Sequence, residues 1–154
     1  MYLMGCELKR SPRRSIKRGV RTINGRKQVL VQDDITNSAL PVQWRMHTNA
    51  TVVVSGSTAT LTLEGKTMQV SILNADPSVV FTTLDPVPYT TDPPLPNGAV
   101  NQPNPGVTVL AITLAPGSYN LQVLFNPQWD GMSASDFKTP SFVAIDGWST
   151  TSHP

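Results

Sequence analysis

Two histidines, His47 and His153, a single cysteine, Cys6, and the adjoining carboxylates Asp33 and Asp34 are the first places to look for acid–base, nucleophilic or metal chemistry. Their spacing does not favour it. Successive residues of a strand point to opposite faces, so Asp33 and Asp34 cannot address one substrate atom, and the pair reads as a strand end. Asp130-Gly131 and Asp146-Gly147 read as turns. No histidine pair stands at metal-ligand spacing, and neither a Gly-x-Ser-x-Gly elbow nor a glycine-rich phosphate loop occurs. A lone histidine cannot make a zinc site. The expectation is no catalytic residue, no metal and no cofactor.

What remains is binding chemistry. Val42 to Thr48 alternates, with Val42, Trp44 and Met46 on one face and Gln43, Arg45 and His47 on the other. Trp44 belongs with the core. Gln43, Arg45 and His47 are the candidate substrate-binding set, because guanidinium offers planar paired donors to a carboxylate or sulfate. Trp129 and Trp148 stand beside turn residues, where an indole serves either as a sugar-stacking platform or as partly buried packing. Asn49-Ala50-Thr51 is an N-glycosylation sequon at a break between two strands.

The elements that must position these residues read as strands. Asn24-Gly25 between Val20–Ile23 and Arg26–Val31 is a hairpin signal, since a type I′ turn needs positive φ at both central residues. Gln28 to Ile35, Val42 to Thr48, Thr51 to Ser55, Thr58 to Leu63 and Lys66 to Leu73 follow with period two, the last pair turning at Glu64-Gly65. Seven of the fourteen prolines lie between Asp85 and Gly106, so residues 85–106 form a long Pro-rich loop that cannot donate to a ladder. A hairpin is expected from Val107 to Asn126, turning at Ala115–Ser118, and Phe142 to Trp148 reads as a final strand. Some nine short strands imply an all-β fold, an antiparallel β-sandwich.

The charge is split along the chain. Residues 1–27 hold nine basic residues against one acidic, +8, and residues 28–154 hold three against nine, −6. Residues 1–19, densely charged and aperiodic, are expected to be a flexible, disordered basic arm that binds polyanions nonspecifically, and residues 20–154 to be the sandwich domain. Only 14% of the residues are charged, so the body covers itself with Thr, Ser, Asn and Gln. No stretch approaches the roughly 18 apolar residues of a membrane span, and neither an export signal nor an anchor is legible.

Taken together, Lys17–Asp34, Val42–Thr48 and Ala59–Ile72 resemble the β-sheet region of heparinase II/III-like proteins, and the likeness runs from about Arg18 to His153. The resemblance implies a polysaccharide lyase built from an α/α toroid followed by β-sandwich domains. Such an enzyme cleaves acidic glycans by taking the proton α to a uronate carboxylate, with Tyr and His beside the cleft. It also implies an extracellular setting. The catalytic base of that family lies in a His-x-His segment at the start of its β region, which this sequence lacks; His47 matches only a later strand histidine of accessory or metal-associated position. The chain therefore reads either as a fragment with a basic leader or as a domain working beside a separate toroid subunit.

The expected function is a non-catalytic, carbohydrate-associated β-sandwich module with acidic polysaccharide as partner and no membrane. The alternatives are a nucleic-acid-binding or capsid-like sandwich that uses its Arg-rich arm, and an active polysaccharide lyase.

Overall fold

A computed structural model describes residues 14–89, 92–100 and 104–148. Nine strands run in chain order: β1 (Ser15–Ile23), β2 (Gln28–Ser38), β3 (Val42–Thr48), β4 (Thr51–Ser55), β5 (Thr58–Leu63), β6 (Lys66–Ile72), β7 (Phe81–Leu84), β8 (Thr108–Leu114) and β9 (Gly117–Pro127). They form two antiparallel sheets, ordered β1-β2-β9-β6-β5-β4 and β3-β8-β7. The architecture is the all-β sandwich that the alternation implies.

Local chemistry sets the tight turns. Glu64 and Gly65 have φ of 49° and 73°, the paired positive values of a type I′ turn, and Leu63 pairs with Lys66 across it. The first hairpin departs from its expected two-residue loop. Ile23 pairs with Gln28, so the loop spans 24–27, and three successive residues, Asn24, Gly25 and Arg26, take positive φ. The Asn24 side chain secures this wider turn by donating to the Asp136 carbonyl at 2.8 Å.

The expected arm ends earlier than residue 19. Residues 15–19 belong to β1, paired with β2 from Ser15↔Thr36 onward. Arg18 forms a two-pronged pair with Asp33, Nε to Oδ1 at 2.7 Å and Nη2 to Oδ2 at 2.8 Å. Residues 1–13, the rest of the expected arm, lie outside the described residues. Asp33 and Asp34 likewise do not end a strand. They sit in the middle of β2 on opposite faces, Asp33 facing Arg18 and Asp34 accepting from the Ile145 amide at 3.1 Å.

The core lies between the sheets. Leu110, Ile112 and Leu114 of β8 face Leu121 and Val123 of β9 and Val70 and Ile72 of β6, all buried. Trp44 is among them as expected, its ring centroid 6.4 Å from those of Phe81 and Phe125. The expected β8–β9 hairpin does not form. β8 pairs with β3 and β7, whereas β9 pairs with β2 and β6, so Ala115-Pro116 carries the chain from one sheet to the other. The burial of β9 gives the physical reason. Leu121, Gln122, Val123 and Leu124 are all buried, which requires cover on both faces and a central place in the larger sheet.

That second cover is the C-terminal segment, and it is not the strand expected over Phe142 to Trp148. Residues 128–148 cross the outer face of the large sheet with only two 3-10 turns, Ala134–Asp136 and Ile145–Gly147. A layer of buried amides from the sheet replaces ladder pairing. Gln28 donates to the Lys138 carbonyl at 3.0 Å and accepts from its amide at 2.9 Å. Gln32 donates to the Val143 carbonyl at 3.0 Å and accepts from Gln122 at 2.9 Å. Leu30, fully buried with Ile23 and Leu124, contributes about 1.5–3 kcal/mol to this second core. At its far end Trp148 lies against Gly19, where a Cβ would come within 2.6 Å of the indole. Arg21 sits 4.8 Å from the ring centroid, in cation–π contact.

Candidate functional site

The smaller sheet presents the expected Gln43/Arg45/His47 face as an alternating row. Gln43 pairs with Thr113, Arg45 with Ala111 and His47 with Val109. The Pro-rich loop returns over part of this row. Arg45 lies 4.6 Å from the Tyr89 ring centroid, and the Tyr89 hydroxyl donates to Gln43 Oε1. Gln43 also donates to Thr113 Oγ1 at 3.2 Å. Gln43 and Arg45 are therefore engaged in seating Tyr89, and His47 is the exposed member of the three. Tyr89 is the residue that reading the sequence missed; its signal is an isolated aromatic within a proline-rich stretch, where rings dock rather than pair.

A different site forms where the sandwich is open at one end. The β5–β6 turn, the 49–50 link between the sheets and the chain leaving β9 enclose a groove of about 710 Å³. Its floor is apolar, from Ala50, Leu61, Leu63 and Met68, and Trp129 forms a wall. Trp129 is 48% exposed yet fixed in orientation, because its indole N–H donates to the Lys27 carbonyl at 2.8 Å. The following turn, with Gly131 at φ 79° and the Met132 amide bonded to the Trp129 carbonyl at 3.1 Å, holds the ring at the groove mouth. Lys66 and Asp130 meet across the rim at 3.0 Å. An apolar floor, an aromatic wall and a few placed polar groups are the usual make-up of a small-ligand site.

Thr67 and Gln128 connect this groove to a second one of about 480 Å³ on the outer face of the large sheet. The Gln128 amide bonds the Thr67 carbonyl at 2.9 Å, so the two residues form one fixed ridge. Beyond it the hydroxyl and amide groups of Thr60, Gln69, Ser71, Asn126 and Thr139 share the lining with Leu73, Leu124 and Ala134, and Phe137 of the C-terminal segment closes it.

Other candidates resolve into structure. Asp33, 4% exposed, is held by Arg18, and the hydrogen bond to that carboxylate raises the Arg18 pKa against the opposing effect of burial. Trp148 is packing, as its contacts with Gly19 and Arg21 make plain. Asp146 takes Lys17 at 2.7 Å. Asn49, of the sequon, is exposed in the link between β3 and β4. Among the described residues no three His, Cys, Asp or Glu side chains are grouped to hold a metal ion, and no helix is long and apolar enough to cross a membrane. No protein-family profile and no curated protein matches this chain.

Proposed function

We propose that this chain is a non-catalytic, carbohydrate-associated β-sandwich module, of the kind a heparinase II/III-like lyase carries beside its toroid. The observation that carries the reading is Trp129: a half-exposed indole, clamped by Lys27, standing over an apolar-floored groove with hydroxyl and amide groups at its edge. The apolar face of a sugar ring stacks on such an indole, while its hydroxyls reach the rim. A ring fixed before binding loses little conformational freedom on contact, which favours affinity. Gln43 and Arg45 support the module differently, by anchoring the loop that carries Tyr89.

The test is titration of the full chain with a panel of soluble oligosaccharides, followed by tryptophan fluorescence and calorimetry. Trp129→Ala is expected to abolish binding and Trp129→Tyr to restore part of it, with Arg45→Ala leaving it unchanged. Binding that ignores Trp129 would overturn the reading. So would release of unsaturated uronate ends from a polysaccharide, lost in His47→Ala.

A further inference from the structure

The two grooves form one track, and its chemistry names a ligand class different from the acidic glycan that the sequence resemblance implies. We infer that the module takes an uncharged polysaccharide chain, laid from the Trp129 groove over the Thr67/Gln128 ridge onto the hydroxyl-lined face of β6 and β5. This rests on the carbohydrate reading above and specifies its substrate.

Continuity comes first. Thr67 and Gln128 line both grooves, so nothing divides them but a ridge made of two hydrogen-bonding side chains. The Gln128 side-chain amide donates to the Met132 carbonyl at 2.7 Å, which fixes the orientation of its oxygen. Past the ridge, Thr67, Gln69 and Ser71 of β6 lie opposite Thr62, Thr60 and Thr58 of β5, all six on the outer face. Thr67 to Ser71 covers four strand steps, about 13 Å, longer than a single sugar ring. The site therefore fits a chain rather than a monosaccharide.

Charge comes second. Among the described residues no charged side chain lines the second groove. In the first, Lys66 is already paired with Asp130, and Glu64 leaves the lining with a net negative charge. Among the described lining residues a polyanion entering this track meets no unpaired cation and is repelled, whereas hydroxyls find partners that both donate and accept. Among the described residues the basic side chains before residue 28 line neither groove, although the Lys27 backbone holds the Trp129 indole.

The experiment compares cellohexaose, xylohexaose and mannohexaose with the corresponding disaccharides and with a heparin hexasaccharide. The full chain is titrated at about 1 M salt, where the Debye length falls to about 3 Å and the basic N-terminal region is screened. At least one uncharged hexasaccharide is expected to bind in a Trp129-dependent manner and more tightly than its disaccharide. Gln69→Ala or Thr60→Val, both exposed and, among the described residues, without a side-chain hydrogen bond, is expected to weaken the hexasaccharide about fivefold, the loss of one neutral hydrogen bond, and to leave the disaccharide unchanged. If Trp129→Ala abolishes binding while Gln69→Ala and Thr60→Val change nothing, the extended track is overturned and the single-groove reading stands. Trp129-dependent binding of heparin in preference to all three neutral chains overturns the uncharged class in the same way. If no oligosaccharide responds to Trp129, the carbohydrate reading falls, and this inference with it.

Discussion

Arg18 and Asp33 show how much one pairing decides at the scale of the residue. The Asp33 side chain is 5% exposed and that of Arg18 52%, so the carboxylate is the desolvated member and the guanidinium its remaining link to solvent. Both hydrogen bonds go to one partner in the two-pronged geometry that suits a carboxylate. Arg18→Ala strands a buried charge and is expected to cost about 1–3 kcal/mol, read as a lowered denaturant midpoint. Adding Asp33→Asn should recover part of that loss, because the neutral amide tolerates burial better than an unpaired carboxylate. Equal midpoints for Arg18→Ala and the wild type would show that the pair contributes nothing. The sequence marks Asp33 and Asp34 as opposite-facing but not as mid-strand, since carboxylates seldom sit buried there without a partner, and the partner comes from a different strand.

At the scale of the element, β1 and the C-terminal segment depend on each other. Lys17 holds Asp146, Gly19 leaves room for Trp148, and Arg21 lies over its ring, so the outer face of β1 is the bed of the closing segment. Removing residues 1–19 therefore destroys half of β1 along with the Lys17–Asp146 and Gly19–Trp148 contacts and the Arg18–Asp33 pair. Compared with a chain lacking only residues 1–13, it is expected to melt at least about 5 °C lower, since 1 kcal/mol moves the midpoint of a domain this size by about 2–4 °C. Superimposable melting curves would overturn the assignment of residues 14–19 to the folded body. The segment itself was not legible as an irregular cover. Phe142 to Trp148 has the composition of a strand, yet the sheet meets it with Gln28 and Gln32, whose side-chain amides satisfy its backbone in place of a ladder.

For the whole molecule, the charge division of the sequence acquires a spatial meaning. Lys17 and Arg18 are consumed by Asp146 and Asp33, which leaves polyanion contact to the other basic residues before residue 28. Retention on heparin is expected to fall steeply with salt and to drop further when residues 1–13, with Lys9, Arg10 and Arg13, are removed. Unchanged retention after that removal would place the contact on the body instead. The sequence by itself located eight of the nine strands, missing Phe81–Leu84 and expecting one at Phe142–Trp148 where none forms, together with the Glu64-Gly65 turn and the core place of Trp44, because period-two alternation and positive-φ turn residues are written locally. It did not determine which sheet each strand joins. β8 and β9 are separated by a two-residue link that suits a hairpin, and only the double-sided burial of β9 sends them apart. The Tyr89 cap on Arg45 and the Trp129 groove were likewise decided by tertiary structure. Their walls come from segments far apart in the chain, and no local pattern encodes which of those segments will meet.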